Sequence, residues 1–437
     1  MNRRKFIKNT TVTAAGITIL NFPVFGKNAP SNKVIAAVMG VNSRGAYLAK
    51  CFSQLNNVEV AYLCDVEEKA IANGLEGVKD AARKPTVIKD IRELLTKKDF
   101  DALIIATPDH WHAPATLLAV AHGKHVYVEK PCGHNAYEGE MVSQALHKHG
   151  RLIQMGNQRR SMPTLIEAVK QVREGIIGNA YFGKSWYANN RKSIGIGKKI
   201  PPPPTLDFEL WQGPAPRRSY KDNLVHYNWH WFWHWGTSET CNNATHEVDC
   251  CRWFLDVDYP TQVSSAGGRY AFKDDWETPD TQVASFEFGN SKAITWEGRS
   301  CNNFPVEGAG RGFIIYGDKG TLVNDGNADY KIFDEKNKLV KEVKSDVQAD
   351  PTNPVSASGN LDLYHFQNFA DAVRGEATLN SPVDEAHKSI LLCHLANIAQ
   401  RTGRTLNCDP KNGHILNDPE AMKLWKREYE KGWEPKI

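Results

Sequence analysis

From residue 33 to about 156, short β-branched apolar runs alternate with stretches whose apolar positions recur every three or four residues. Val34–Met39, Val58–Cys64, Ala102–Ala106, His125–Val128 and Leu152–Met155 carry the first pattern, and Ala113–His122 and Tyr137–His149 carry the second. Near-continuous apolar strands joined by amphipathic helices predict βαβ units and a parallel, doubly wound α/β sheet. Past Gly156 the texture changes. After one helix, Pro163–Glu174, longer alternating strands are predicted at Ala180–Tyr187, Gln262–Ala271, Gln282–Phe288, Lys292–Gly298, Gly312–Tyr316 and Gly320–Val323, joined by Gly, Asn and Pro turns. Alternation of this kind points to a mainly antiparallel open sheet. Two late helices, Leu363–Arg374 and Pro382–Arg401, close the pattern, and Pro201–Pro204 reads as an extended surface connection. The expected organisation is a doubly wound domain over 33–156 and an α+β domain over 157–437 that includes the C-terminal helices.

Composition narrows the class. With 437 residues, 41% hydrophobic and 24% charged, the chain has an ordinary globular balance and can bury a large core without disulfide or metal support. No apolar stretch approaches the roughly 18 residues of a membrane helix, so no membrane span is expected. Arg3, Arg4, Lys5 and Lys8 precede the first acidic residue, Glu59, and account for the whole net charge of +4. The remainder is balanced, which gives no electrostatic case for nucleic acid. Residues 1–26 look like a twin-arginine export signal: paired arginines, then Phe6, Ile7 and Lys8, a weakly apolar run and a cleavage site after Gly26. A periplasmic protein follows from that reading, and a basic cytoplasmic tail is the alternative. The nine cysteines include no C-x-x-C pair and read mostly as small buried hydrophobes.

Candidate chemistry lies at strand ends. Gly40-Val41-Asn42-Ser43-Arg44-Gly45 follows the first strand and opens a helix, where backbone N–H groups and the helix dipole can receive a pyrophosphate. Asn42 stands where the dinucleotide fingerprint prefers glycine, and a plain β-to-α turn is the alternative. Asp65 ends the second strand, where a carboxylate accepts from a ribose 2′-hydroxyl and repels a 2′-phosphate, favouring NAD over NADP. A cap for the next helix is its other reading. Two further segments, Thr107-Pro108-Asp109-His110-Trp111-His112 and Glu129-Lys130-Pro131, end strands on the same side of the sheet.

These segments resemble the Gfo/Idh/MocA family of NAD(P)-dependent sugar oxidoreductases. The resemblance covers almost the whole chain after the leader and includes Glu129-Lys130-Pro131, the Thr107-Pro108 turn with His112, Gly156 to Arg160, and His246-Glu247-Val248-Asp249. It implies a Rossmann domain holding NAD through Gly40, Asn42, Ser43, Arg44, Gly45, Asp65, Thr107, Pro108, His110, His112, Glu129, Lys130 and Gln158. It also implies a carbohydrate or polyol substrate, and a homo-oligomer formed through the C-terminal sheet is expected. Lys130 and His246 are then the catalytic pair, and either suits a general base, since a half-buried ammonium loses basicity and imidazole titrates near neutrality. We expect His246 to accept the proton while Lys130 polarises the hydroxyl. The family places an acid four residues before the histidine. Here that residue is Asn242, which leaves Glu239 or Glu247 to compensate.

Among the remaining candidates, Trp231 in the tryptophan-rich Asn228–Gly236 segment suits a sugar-stacking platform or an aromatic core plug. Arg159, Arg160 and Arg191 suit an acidic sugar or a solvated surface. His226, His230 and His234 fall at spacings of four, but no carboxylate interleaves them, and no metal is expected. Two other functions stay open: a glycoside hydrolase using bound NAD for transient oxidation and elimination, against which the retained Lys130 argues, and a non-catalytic sugar-binding protein on the same scaffold.

Overall fold

The computed structural model describes residues 33–345 and 359–437; the leader expected at 1–26 lies outside them. The first sheet has the order β3-β2-β1-β4-β5-β6, from β1 (Val34–Met39), β2 (Val58–Cys64), β3 (Thr86–Ile88), β4 (Ala102–Ile105), β5 (His125–Val128) and β6 (Ile153–Met155), all parallel. Helices α1 (Ser43–Gln54), α2 (Glu68–Gly77), α3 (Ile91–Leu94), α4 (His112–Ala121) and α5 (Ala136–His149) alternate with these strands. Strand β3 escaped the sequence pattern because its three residues are mostly exposed and too short to show a period.

After α6 (Pro163–Arg173) the second sheet begins with β7 (Ala180–Ala188). The connection back to it carries α7 (Phe208–Gln212) and α8 (Thr245–Leu255). Strands β8 (Gln262–Gly268), β9 (Thr281–Phe288), β10 (Lys292–Arg299), β11 (Arg311–Gly317), β12 (Gly320–Asn324), β13 (Tyr330–Asp334), β14 (Leu339–Val343) and β15 (Leu406–Asn407) complete nine strands in the order β14-β13-β12-β11-β7-β10-β9-β8-β15. Every pairing is antiparallel except β7 with β10. Along β9 every second residue is buried, as a sheet with one packed face requires. Helices α9 (Asp362–Val373), α10 (Val383–Thr402) and α11 (Pro419–Met422) end the fold, and Gly403 at φ +66° terminates α10 in the left-handed conformation that glycine adopts without steric cost.

The C-terminal helices do not belong to the second core alone. Phe366, Phe369 and Ala370 of α9 pack among Val38, Leu48, Phe52 and Tyr127 on one face of the Rossmann sheet. Val383, Ala386 and Ile390 of α10 pack on its other face, while Leu391 to Ala399 enter the core of the second domain. All nine cysteines are free thiols, eight of them buried. No helix among the described residues is long and apolar enough to cross a membrane.

Candidate active site

The carboxyl ends of β1, β2, β4 and β5 open into a cavity of about 820 Å³ whose far wall comes from β7, α8 and the loops after β10 and β12. Gly40, at φ +79°, turns the chain from β1 toward α1, and a Cβ there would meet the backbone of Ala106 and Thr107 within 2.8 Å. Gly45 does not face the cavity. It lets α1 approach the Gly40 carbonyl more closely than any side chain would allow. Asn42 precedes α1 without capping it, because its Oδ1 accepts from Asn73 Nδ2 at 2.9 Å, and no acid occupies the first turn. The start of α1, with the Ser43 N–H, therefore turns the dipole's positive end toward an anion.

The residues present fit a dinucleotide. The Asp65 carboxylate lines the cavity while accepting from the N–H groups of Val41 (2.7 Å) and Glu67 (3.0 Å). Burial pushes its carboxyl above the usual range, and those backbone bonds oppose the rise. The cap of α2 is Glu67, which accepts from Ala70 N–H at 2.6 Å, so Asp65 is free for a ribose hydroxyl. Thr107 and Pro108 line the same wall, and the buried Thr107 hydroxyl has no hydrogen-bond partner among the described residues. His112 braces two turns, its ring nitrogens 2.6 Å from the Pro131 carbonyl and 2.8 Å from that of Thr107.

Glu129 is an electrostatic hub. It accepts from Arg44 (Nη2 at 2.8 Å), from Gln158 (3.2 Å) and from the N–H of Lys130. Burial pushes its carboxyl up, but Arg44 and Lys130 outweigh that and hold it below the usual range. The Arg44 guanidinium also meets Asp362 at 2.9 Å, so its side chain ties α1 to β5 and α9. Lys130 Nζ donates to Asn242 Oδ1 at 2.7 Å. Burial lowers its basicity, against the opposing charges of Glu129 and Asp109. Asn242 and Asn243 reach the cavity from a π-helical turn, Thr240–Ala244, that leads into α8, and His246 lies on the first turn of that helix. Burial, then the charges of Arg311 and Lys130, hold the His246 imidazole well below its ordinary value and hence neutral.

Several expected residues serve other purposes. Trp231 is only 1% exposed and stacks on Trp276 with ring centroids 4.1 Å apart, so it is core; Trp229 and His230 face the cavity in its place. His110 turns away, its Nε2 2.9 Å from the Trp211 carbonyl between the rings of Trp211 and Trp235. Arg160 is bidentate on buried Asp249 (2.7 and 2.8 Å), away from the cavity. Arg159 and Arg191 line the cavity but are held by Glu247 (2.8 Å) and Glu239 (2.6 Å). Neither of those glutamates replaces the missing acid. Glu247 also binds Arg311, and Glu239 accepts from Asn242, Asn243 and Ser300 as well. The reading missed Arg311, Tyr187, Asn189, Asn303, Asn327 and Asp362, which long connections bring to the wall and no local motif announces. Asp109, within the Thr107–His112 segment, lies on the same wall. Among the described residues no group of His, Cys, Asp and Glu is arranged to hold a metal ion.

A Rossmann sheet whose strand ends open onto a second α+β domain defines the class: a two-domain dinucleotide-binding protein. Family models agree over most of the chain, one described as "Oxidoreductase family, NAD-binding Rossmann fold" over residues 34–157 and one as "Oxidoreductase family, C-terminal alpha/beta domain" over residues 209–408. The chain belongs to the Gfo/Idh/MocA oxidoreductase family. An alpha-N-acetylgalactosaminidase of Shewanella oneidensis is 28% identical over 211 residues, covering 43% of this chain and 46% of that protein. A glycosyl hydrolase family 109 protein of Saccharopolyspora erythraea is 30% identical over 171 residues, covering 38% of this chain and 37% of that one. The chain thus spans less than half the length of these curated relatives. Among solved structures, levoglucosan dehydrogenase with NADH and levoglucosan aligns with a TM-score of 0.65 at 15% identity, over 86% of this chain and 99% of that one. The WlbA dehydrogenase of Bordetella pertussis with NADH and UDP-GlcNAcA aligns at 0.64 and 16% identity, over the same shares. At such identities these structures establish a shared fold.

Proposed function

We propose that this protein is a NAD-dependent oxidoreductase acting on a CH–OH group of a sugar, glycoside or polyol. The observation that carries the reading is Lys130, half-buried at the end of β5 and hydrogen-bonded to Asn242 on the cavity that neutral His246 also faces. NAD, held by the Gly40 turn, the α1 N-terminus and Asp65, supplies the hydride acceptor, and the two carboxylates Asp65 and Glu67 on that wall favour it over NADP. This chain's residues handle the proton. Lys130 polarises the reacting hydroxyl and His246 accepts its proton, because Asn242 cannot take one and neither Glu239 nor Glu247 is free to.

The glycosidase names of the curated relatives favour a second reading, redox-assisted hydrolysis by the same two groups. A panel of methyl glycosides added to the NAD-loaded protein separates the two. The oxidoreductase forms reduced nicotinamide, seen at its absorption band; the hydrolase releases methanol over repeated turnovers. Lys130→Ala should retain NAD and slow the reaction about 10²–10⁴-fold, the size of a general acid–base contribution; full activity would remove Lys130 from the chemistry. Export by the twin-arginine leader belongs to the same reading, and cell fractionation of the full chain should find the mature protein in the periplasm. So does self-association through the large sheet, where Tyr181 and Val283 are 44% and 51% exposed.

A further inference from the structure

Charge and hydrogen-bonding capacity at the substrate end of the cavity are arranged in a specific way. The wall around His246 and Lys130 presents six amides: Asn189, Asn190, Asn242, Asn243, Asn303 and Asn327. An amide offers both donors and an acceptor, the complement of a hydroxyl that donates and accepts. Trp229 and Tyr227 add aromatic surface suited to the C–H face of a ring.

Each arginine of this substrate end already faces a carboxylate, and the remaining cation, Lys130, donates to Asn242 Oδ1 at 2.7 Å. Arg191 sits on Glu239 at 2.6 Å. Arg159 and Arg311 share Glu247, each at 2.8 Å, and the Asp325 carboxyl lies on the wall beside Arg159. The Arg159 Nη1 group, which has no partner among the described residues, is itself shielded from solvent. A ligand carboxylate or phosphate entering here has to displace a buried carboxylate from its arginine, take Lys130 away from the reacting hydroxyl, or be buried against amides without a counter-ion, and each is costly.

We infer that the substrate is an uncharged saccharide or glycoside, and that this end of the cavity rejects uronates, sugar phosphates and nucleotide sugars. The inference rests on the oxidoreductase reading but concerns only the charge of the ligand. The test is ligand-observed NMR on the NAD-loaded protein with matched pairs, methyl glucoside with methyl glucuronide and methyl galactoside with methyl galacturonide. The wild type should bind each uronide at least about tenfold more weakly than its neutral twin, or not at all. Glu239→Gln keeps the shape but leaves Arg191 unmatched, and should raise uronide affinity by about tenfold or more, a modest return for an unscreened charge pair. A wild type that prefers a uronide overturns the inference. So does a folded Glu239→Gln protein with no gain, provided that Glu247→Gln, which frees two guanidinium groups, gains nothing either. Failure of the underlying reading looks different: no neutral glycoside yields reduced nicotinamide, whatever the binding data show.

Discussion

At the residue scale, the environment of His246 makes its titration diagnostic. Burial and the charges of Arg311, Lys130, Arg159 and Arg44 all disfavour its protonated form. The imidazole therefore stays neutral, and able to accept a proton, as the pH falls through 6.5, the ordinary histidine value. The acid limb of the kcat/KM profile should lie below pH 6.5, and a limb at or above that value would assign the base to another group. On the alkaline side Lys130 loses its proton below its ordinary 10.5, so activity should decline there as the polarising charge is lost. The place of Lys130 on the cavity wall was legible in the sequence because its strand-end motif is local. The partners of the arginines were not, since Arg159 meets Glu247 and Arg44 meets Asp362 only through the tertiary fold. Trp231 misled because exposure cannot be told from composition within a tryptophan-rich run.

At the scale of elements, the connection between β7 and α8 does more than the surface linker its prolines suggested. Thr205 Oγ1 donates to Glu67 at 2.9 Å, its carbonyl accepts from Glu68 N–H at 3.0 Å, and Asp207 N–H donates to the Val66 carbonyl at 2.9 Å. Leu206, Phe208, Trp211, Trp229 and Trp235 form a separate apolar cluster behind this contact. A segment of the second domain thus lies on the β2–α2 turn, where Asp65 and Glu67 line the cavity. Thr205→Val, which removes one hydrogen bond and keeps the volume, should speed release of NAD about threefold to tenfold, in line with a bond worth about 0.5–1.5 kcal/mol. A chase of bound NAD with excess unlabelled cofactor measures it, and an unchanged rate would mean that this contact does not retain the cofactor. The period of the hydrophobic pattern revealed most strands of both sheets, though not β3, β13, β14 or β15. It was silent on this contact, which rests on backbone groups and a single hydroxyl.

For the whole molecule, the domain limits read from the sequence hide a dependence that α9 and α10 create. A Rossmann half cut at residue 156 lacks Phe366 and Phe369 on one face and Val383, Ala386 and Ile390 on the other. Losing one buried phenylalanine costs about 3–5 kcal/mol, and a whole domain holds only about 5–15 kcal/mol in reserve. A fragment of residues 33–156 should therefore show no cooperative thermal transition and bind no NAD; a stable, NAD-binding fragment would show that the two helices are dispensable. The same packing sets a timetable for biosynthesis. The nucleotide-binding sheet leaves the ribosome well before α9 and α10, and the patches they cover wait for them. The nascent chain carries exposed apolar surface until those two helices emerge, and cofactor capture waits for their docking rather than for the sheet alone.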